Sequence, residues 1–511
     1  MTSVSDFIER GYFPKELPPP FSTQSFALNE PNIVTNVQPP GYNAALVGYS
    51  HSKYASTRRE LSIPHPCLFL QLAQNLLANW HELEAIWDNS TISRTKPIDS
   101  LNRAVEGEAG FSDLPQFRAE VRSAGRYIFR ADINSFYHSV YTHSVPWAIH
   151  GKAVAKANRS FRNNQDDFLW GNLIDLWSRN LQEGQTIGLP VGPDTSFVIS
   201  EIILCSVDKV IQDKLPGIRG FRFVDDYEFV CDSQTEAEKV LATLQEELSQ
   251  YELRLNPRKT YIRELPEPLD TPWVEGLGGF ELDEETESPA KLIRYFTRAF
   301  DLAKLYPSEP VLKYATRRLR ALETGEETTL LLQRLLLQAA MVEPGTLYNA
   351  LHVIFENHKA KEAVDTENLH RALNQLVYRH SALGHGSEVA WCIWAAAVFQ
   401  LQLSSKAAEA VAQMQDEIVA LTAMFSEQHG AFETPPSRHL WQEMIEQDSS
   451  AREHWLLTYE AVGKRWLKQP VHGDLSDAGE FMQELRNAEM EFLDPATPLE
   501  IPGEEDVPYL A

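Results

Sequence analysis

The sequence predicts an α+β domain with a mostly antiparallel sheet in the first half of the chain and an all-α domain in the second. Stretches 125–133 and 219–231 alternate short apolar and polar residues, as strands do. From 310 to 492 almost every segment has apolar residues at helical spacing. Strand, helix, strand hairpin, helix and strand in that order indicate an α+β architecture before the helical half begins.

The remaining elements of the first half follow from local signals. Residues 13–45 are rich in proline and predict an extended arm with little regular structure. His65-Pro66 precedes an apolar stripe at helical spacing, and 194–213 is predicted as a buried helix with Asp194 as its N-cap. A further helix over 234–251 ends before an Asn-Pro turn.

The helical half predicts an antiparallel array of helices with short connections. Breaks are expected at Pro344-Gly345, at 384–386 and at Pro435-Pro436, and the stretch from 494 onwards is expected to be an exposed tail. We find no fixed repeat length. The predicted organisation is therefore an N-terminal arm (1–50), an α+β region (51–285), a helical domain (286–495) and a tail (496–511).

Composition limits the classes of function. Lys and Arg total 46 against 72 Asp and Glu, which gives a net charge of −26. Such a chain cannot bind nucleic acid over its whole surface, although 51–200 is locally neutral, with 15 basic and 15 acidic residues. Four dispersed cysteines exclude a disulfide scaffold and a finger-type zinc site. Without an apolar run of 18 residues or a signal pattern, we expect a cytoplasmic protein that does not contact the membrane.

Three carboxylates stand out for their position in the strand pattern. Asp225 and Asp226 lie near the tip of the predicted 219–231 hairpin, where adjacent carboxylates repel each other unless a cation compensates them. Taken alone, the pair leaves a site and a charged surface equally open, and Asp166-Asp167 is an acidic pair that we assign to the surface. Asp132 ends the neighbouring strand and would complete a two-metal site for phosphoryl transfer.

Four blocks together resemble a known family. FRADINSFY (129–137), GLPVGPDTSF (188–197), FVDD (223–226) and LRLNPRKT (253–260) match, in order and spacing, the palm motifs A to D of reverse transcriptases. The resemblance covers roughly 50–280 and implies a right-hand polymerase with palm and fingers. It implies that Mg²⁺, with Mn²⁺ as an alternative, is held by the carboxylates of Asp132, Asp225 and Asp226 and by the backbone carbonyl of Ile133.

The same resemblance implies the nucleotide site. Tyr137 would be the steric gate that favours deoxynucleotides, the loop 189–196 would contact nucleotide and template, and Lys259 would be a proton donor to pyrophosphate. The chain has Val191 where many reverse transcriptases have glutamine, which removes a polar contact near the nucleotide. The implied nucleotide-binding residues are Phe136, Tyr137, Pro190, Gly192, Arg58, Arg59 and Lys259, and Trp273 is assigned to the primer-grip region.

Cations for the triphosphate are expected from the fingers, because Arg and Lys stabilise charge on a transferring phosphoryl group. Sequence does not choose among the candidates, which are Arg58, Arg59, Arg94, Lys96 and Arg103. The histidines His143, His150 and His385, and Trp391, are interpreted as structural residues rather than metal ligands or base-stacking platforms.

A narrower resemblance concerns three further blocks: SIPHP (62–66), YTHSVPWAIHGK (141–152) and HGSEVAWCIWA (385–395). With the apolar motif B, they look like bacterial abortive-infection reverse transcriptases of the AbiA/AbiK type, a prophage-borne anti-phage defence family. That resemblance implies a HEAT-like helical domain, assembly as trimers or hexamers, and DNA synthesis without a conventional template. Priming by a protein hydroxyl is also implied, so that single-stranded DNA made from dNTPs stays attached to the protein.

Three alternatives stay open at this point. The first is an RNA-templated reverse transcriptase that uses a non-coding RNA. The second is a polymerase-like interaction scaffold with an inactive site. The third is an enzyme that synthesises RNA, which Tyr137 disfavours. The priming residue is not identified by any motif. Candidate hydroxyls are those of Tyr12, Tyr42, Tyr49, Tyr54 and Tyr509.

Overall fold

The computed structural model describes residues 2–30, 41–53, 57–158, 169–280, 285–286, 288–320, 322–361, 363–448, 452–471 and 480–503. The strands are β1 Val47–Ser52, β2 Arg58–Ile63, β3 Pro97–Asp99, β4 Val105–Gly107, β5 Tyr127–Asp132, β6 Arg219–Phe223, β7 Asp226–Cys231, β8 Tyr261–Glu264, β9 Glu285–Thr286 and β10 Glu323–Thr324.

Helices alternate with these strands up to β9 and dominate thereafter. The helices of the first part are α1 Val4–Gly11, α2 Gln24–Asn29, α3 Pro66–Ala78, α4 Trp80–Asp88, α5 Leu114–Arg122, α6 Phe136–Ser139, α7 Ser144–His150, α8 Lys152–Ala157, α9 Trp170–Asn180, α10 Asp194–Lys214, α11 Gln234–Gln250 and α12 Pro272–Gly278. Those of the second part are α13 Pro289–Leu305, α14 Val311–Arg317, α15 Glu326–Val342, α16 Leu347–Lys361, α17 Thr366–Ser381, α18 Gly386–Val398, α19 Ser405–Val411, α20 Glu417–Glu427, α21 His439–Gln447, α22 Trp455–Leu457 and α23 Glu480–Asn487.

The central sheet has the strand order β6-β7-β5-β8, and every neighbouring pair is antiparallel. The predicted strands over 125–133 and 219–231 are therefore confirmed, the second as the hairpin β6–β7. Helix α11 packs on β5 and β7, whereas α5 packs on β6 and β7. Phe129 and Phe229 stack across β5 and β7 with ring centroids 6.2 Å apart. The sheet is thus held between helices, with the ends of β5 and β7 side by side.

The predicted single helix after His65-Pro66 is interrupted once. Helix α3 ends at Ala78 and α4 begins at Trp80, with Asn79 between them in a non-helical conformation. Helices α10 and α11 match the predicted helices over 194–213 and 234–251 closely.

The N-terminal segment is packed, and the prediction of an extended arm is wrong for its described residues. Phe7, Tyr12 and Phe26 are fully buried. Tyr12 stacks on Phe69 of α3 at 4.2 Å, and Phe26 meets Phe492 edge-on at 6.0 Å. Proline restricts the backbone here without preventing the aromatic side chains from entering the core, because burying each ring is favourable by roughly 2–3 kcal/mol. Residues 31–40 lie outside the described part.

The second half is helical, as predicted, with neighbouring helices packed on each other: α15 on α16, α17 on α18, and α18 on α20. The expected breaks separate α15 from α16, α17 from α18, and α20 from α21. Among the described residues, no helix combines the length and the apolar character needed to cross a lipid bilayer.

The described start of the tail, 494–503, is mostly exposed, as expected, but it is anchored to the helical half near Ile501. Ile501 is fully buried, and the Trp394 indole N–H donates to the Glu500 carbonyl at 2.9 Å. The hydroxyl of Tyr348 donates to the Pro502 carbonyl at 2.5 Å. Residues 504–511 lie outside the described part. The cysteines are buried free thiols, as expected, at Cys67, Cys205, Cys231 and Cys392.

Candidate active site

The β5–β7 pairing brings the three predicted carboxylates together. Asp132, the last residue of β5, lies opposite Asp226, the first residue of β7, in the strand register. Asp225 precedes Asp226 in the β6–β7 turn, and its carbonyl accepts a hydrogen bond from the Ile133 N–H at 3.2 Å. Directly opposed residues of antiparallel strands have Cβ atoms about 4.5–5.5 Å apart, so these side chains share one small volume.

Burial and mutual repulsion dominate the electrostatics of Asp225 and Asp226, whereas Asp132 is paired with Lys259. Burial and the charges of Asp226 and Asp132 raise the pKa of Asp225 to about 7. Burial and the Asp132 charge also raise the pKa of Asp226. Both side chains stay partly exposed, so a cation from solvent can reach them. Hard oxygen donors that repel one another suit a divalent cation such as Mg²⁺.

The backbone carbonyl of Ile133 adds a fourth ligand group to the three carboxylates. Its N–H is engaged by Asp225, whereas among the described residues we find no donor to its carbonyl. The flanking groups are paired with the 254–256 segment, since Asn134 N–H donates to the Arg254 carbonyl at 2.9 Å. The three carboxylates and this carbonyl therefore fit the predicted metal site.

Asp132 is oriented by the segment that follows α11. Lys259 Nζ donates to Asp132 Oδ2 at 2.6 Å, and Asn256 Nδ2 donates to Oδ1 at 3.0 Å. The Asn256 N–H also donates to the Asp132 carbonyl at 2.7 Å. Burial lowers the pKa of Lys259, but the hydrogen bond and charge of Asp132 outweigh it and raise that pKa above its usual value. Lys259 is thus protonated beside the carboxylates.

Tyr137 lies beside the same group, at the start of the short helix α6. Burial raises the pKa of its phenol, a hydrogen bond with Ser200 opposes that effect, and the Asp225 charge adds to it. The Tyr137 carbonyl accepts from the Leu189 N–H at 2.8 Å. The neighbouring Phe136 is 4% exposed within the main core, so the structure corrects its expected nucleotide contact to a packing role.

The loop before α10 is held tightly from two sides. Gly192 has φ +127°, and a Cβ there would lie 2.8 Å from Pro14 Cγ, so the position requires glycine. The Val191 carbonyl accepts from the Ser62 N–H of β2 at 2.8 Å, and Pro190 is buried. The predicted nucleotide loop is therefore a rigid element between the N-terminal segment and the β1–β2 hairpin.

Arg103 anchors this loop rather than facing a triphosphate. Its guanidinium donates to Asp194 Oδ1 at 2.9 Å and to the carbonyls of Gly192 and Phe13, each at 2.9 Å. Asp194 is the first residue of α10 and the N-cap position is Pro193, so the predicted capping role of Asp194 is wrong. Its carboxylate pairs with Arg103 instead.

Adjacent arginines of β2 have different environments, because successive strand residues point to opposite faces. Arg58 pairs with both carboxylate oxygens of Glu388 in α18 and donates to the Ser50 carbonyl at 2.6 Å. Its expected nucleotide contact is therefore corrected to an ion pair with the helical half. The charge of Arg59, in contrast, acts on the phenol of Tyr137.

Lys53 is a site cation that the sequence argument missed. Burial and the charges of Arg59 and Lys259 lower its pKa, while Asp225 and Asp132 oppose that effect. Lys53 directly follows β1, and the charges of these two carboxylates act on its ammonium. Its position in the SKYASTRRE segment, at the tip of a hairpin next to Arg59, is the signal that could have identified it.

The other predicted fingers cations have structural partners. The Arg94 guanidinium lies 4.9 Å from the Phe117 ring centroid, and Lys96 Nζ is 3.6 Å from the Asp88 carboxylate. Trp273, assigned to a primer grip, is buried against Tyr314.

The predicted structural histidines have internal partners. His143 Nδ1 lies 2.7 Å from Asp175 Oδ2, an acidic partner not recognised in the sequence, and His150 Nε2 accepts from the Gly171 N–H at 3.1 Å. His385 Nδ1 lies 2.8 Å from His380 Nδ1.

Three of the five candidate priming tyrosines are buried in this fold. Tyr12, Tyr42 and Tyr49 are at most 5% exposed, and Tyr49 is fully buried. Tyr54 and Tyr509 lie outside the described residues, as does the Asp166-Asp167 pair.

Comparison with solved structures gives distant likenesses. The matches include a C-terminally truncated apo telomerase from Candida tropicalis (14% identity, 46% of this chain, 52% of that chain, TM-score 0.31) and apo telomerase from Candida tropicalis (12%, 68%, 64%, 0.34). Telomerase from Candida albicans in complex with a TWJ fragment of telomeric RNA also matches (11%, 64%, 64%, 0.31). The chain spans between half and two thirds of the length of these telomerases, and such low TM-scores support no argument about it.

No curated protein matches the sequence. A family model described as "Reverse transcriptase (RNA-dependent DNA polymerase)" matches residues 73–282. The matched range includes Asp132, Asp225, Asp226 and Lys259, but not the β1–β2 hairpin. Residues 73–282 therefore form a reverse transcriptase domain.

Proposed function

We propose that this chain is a DNA polymerase that transfers nucleotides from dNTPs to a primer hydroxyl at Asp132, Asp225 and Asp226. One observation carries the proposal: the ends of β5 and β7 bring together three carboxylates whose mutual repulsion and burial raise the pKa of Asp225 to about 7. A fold gains nothing from such a group unless a cation and substrate use it. The family match over these residues supports a nucleotidyltransferase.

In the proposed reaction the primer hydroxyl oxygen attacks the α-phosphorus of the dNTP, and the bond to pyrophosphate breaks. Divalent cations, Mg²⁺ or Mn²⁺, would supply positive charge for the α-phosphate oxygens and for the attacking hydroxyl. Asp132, Asp225, Asp226 and the Ile133 carbonyl are the ligands. Lys259 fixes the orientation of Asp132 through its 2.6 Å hydrogen bond and carries a proton for the leaving pyrophosphate.

Lys53 and Arg59 supply cationic charge on the β1–β2 hairpin. Both act electrostatically on this site, Lys53 on the carboxylates and Arg59 on Tyr137. We assign them to the triphosphate, whose negative charge exceeds what Lys259 alone can balance. Tyr137 excludes a 2′-hydroxyl, and the rigid 189–196 loop borders the nucleotide.

The finer proposal is anti-phage abortive infection, with DNA made without a template from a protein hydroxyl. It rests on the resemblance of the SIPHP, 141–152 and 385–395 blocks to the abortive-infection enzymes. Val191, in place of a polar residue, is consistent with weak dependence on a template base. The burial of Tyr12 and Tyr49 argues against either as the primer, so the priming residue stays unknown.

The remaining organisation is proposed on the same basis. Residues 51–285 would be fingers and palm, and 286–495 a HEAT-like domain. The chain would assemble into trimers or hexamers. A cytoplasmic location and single-stranded DNA as product also stay predictions.

An RNA-templated reverse transcriptase is the second candidate, and the description of the matching family as RNA-dependent favours it. The two candidates differ in whether RNA is a required partner. An inactive scaffold is disfavoured, because a scaffold gains nothing from three clustered carboxylates with one lysine, Lys259, paired to Asp132.

One experiment separates these functions. The purified protein is incubated with labelled dNTPs and Mg²⁺, with and without a primed RNA, and run on a denaturing gel before and after protease digestion. Label that migrates with the protein and is released as DNA by protease supports untemplated, protein-primed synthesis. Label only when primed RNA is present supports the templated enzyme, and no label under either condition, with Mn²⁺ also tried, contradicts polymerase function.

A further inference from the structure

The turn that presents Asp225 and Asp226 has an unfavourable backbone conformation. Phe223 pairs with Asp226, so Val224 and Asp225 form a two-residue hairpin loop. Val224 has φ +52°, a value that such loops normally assign to glycine and that is a genuine outlier for a β-branched residue. Local sequence preference therefore works against the turn, and other groups must hold it.

Both backbone polar groups of Val224 are anchored by side chains. Its N–H donates to Thr95 Oγ1 at 3.0 Å, and its carbonyl accepts from Arg222 Nη1 at 2.9 Å. The side chain packs with Phe221 and Phe223 under α5. The N–H, the carbonyl and the side chain of Val224 are thus all restrained.

Arg222 is itself held by two carboxylates of α10. It is fully buried, and it donates to Glu201 Oε1 at 2.7 Å and Oε2 at 3.0 Å. Its Nε donates to Asp208 Oδ2 at 2.9 Å. Thr95 Oγ1 donates to Glu201 Oε1 at 3.1 Å, so the two anchors of Val224 meet on the same carboxylate.

These contacts form one connected group, which we call the Arg222 network: Thr95, Glu201, Asp208 and Arg222 around Val224. The network joins α10 and the segment before β3 to the turn between β6 and β7. Buried ion pairs contribute little net stability, so their use here favours a role in fixing one conformation.

We propose that the Arg222 network holds Val224 in its left-handed conformation and thereby positions the carboxylates of Asp225 and Asp226 for divalent cations. Thr95 and Arg222 are positioning residues: they touch the turn, not the substrate. This inference rests on the proposed function, because it names what sets the geometry of that site.

Thr95→Val is the sharpest test, because it removes one anchor without changing charge or volume. Replacing Arg222 would strand two buried carboxylates and destabilise the whole fold, so it does not test the turn alone. We expect Thr95→Val to weaken Mn²⁺ binding, measured by electron paramagnetic resonance, and to lower kcat for dNTP incorporation, each roughly tenfold or more. The KM for dNTP should change little, since Lys53 and Arg59 are untouched. Unaltered Mn²⁺ affinity and kcat in a folded Thr95→Val protein would overturn the proposal.

A rescue experiment separates positioning from general stability. Glycine tolerates φ +52°, so Val224→Gly should restore most of the Mn²⁺ affinity lost in Thr95→Val. Val224→Ala is the matched control, because it also removes the γ-methyl packing but keeps a Cβ, which disfavours a positive φ. Equal behaviour of the two double variants would overturn the proposal.

The failure of the proposed function has a different signature. A wild-type protein that binds Mn²⁺ but incorporates no dNTP contradicts the polymerase proposal, and the Mn²⁺ comparison between wild type and Thr95→Val still decides the inference. A wild type that does neither contradicts both.

Discussion

Two groups of carboxylates lie on opposite faces of the same β6–β7 hairpin, and they differ in their exposure and in their partners. Glu201 and Asp208 are fully buried against Arg222, whose register partner is Tyr227. Asp225 and Asp226 are partly exposed at the hairpin tip, with Lys259 bonded to their neighbour Asp132. Fully buried carboxylates that are hydrogen-bonded to an arginine fix a conformation, whereas partly exposed carboxylates at a strand end are available for metal and substrate.

The largest effect is expected from removing Arg222, the cation between the two buried carboxylates of α10. Arg222→Met leaves Glu201 and Asp208 buried without a cation, and should destabilise the fold by about 3–5 kcal/mol in urea unfolding. Lys209→Gln is the control on the same helix α10, because Lys209 pairs with Asp213 on the surface at 3.0 Å. That variant should change stability by no more than about 0.5 kcal/mol. Similar losses in the two variants would show that the Arg222 network is not special.

Tyr137 connects the two groups, since the charges of both Asp225 and Glu201 act on its phenol. Tyr137→Ala should raise the kcat/KM for ribonucleotides relative to deoxynucleotides on the order of tenfold or more, because the ring no longer blocks a 2′-hydroxyl. Tyr137→Phe keeps the ring and should keep the discrimination. Unchanged discrimination in Tyr137→Ala would contradict the gate assignment.

A smaller effect should appear in the pH dependence of the protein's stability when no metal is bound beside Asp225 and Asp226. Because the pKa of Asp225 is about 7 in the fold against an ordinary value of 3.8, the folded chain binds more protons than the unfolded chain between these values. Stability in EDTA should therefore fall as pH rises from about 4 to about 7. Asp225→Asn should be more stable than wild type at pH 8 in EDTA by on the order of 1–2 kcal/mol, and added Mg²⁺ should reduce that difference.

Thermal unfolding of both proteins in EDTA, followed across pH 4 to 8, measures this effect. Parallel curves would show that the carboxylates are already compensated within the chain.

The carboxylate site could be predicted because it depends on strand ends. Alternation in 125–133 and 219–231 identified both strands, and antiparallel pairing then brings Asp132 opposite Asp226. The difference between Arg58 and Arg59 follows from the same alternation, but only the structure shows that Glu388, 330 residues away, faces Arg58.

Long-range packing is what sequence patterns did not reveal. The proline-rich start of the chain lacks periodicity, yet Phe26 packs edge-on against Phe492 and Phe481 near the other end of the chain. Nothing local in the sequence around Arg222 indicates that Glu201 and Asp208 of α10 surround it. Both cases depend on contacts between distant segments.

The most direct test of the account is the incorporation of labelled dNTP by wild type and by Asp225→Asn, with Mg²⁺ or EDTA, in the absence and presence of a primed RNA. The account predicts incorporation by wild type only with the metal, and none by Asp225→Asn although that variant is folded and, in EDTA at pH 8, more stable. Incorporation by Asp225→Asn at the wild-type rate would contradict the assignment of the three carboxylates as the catalytic group.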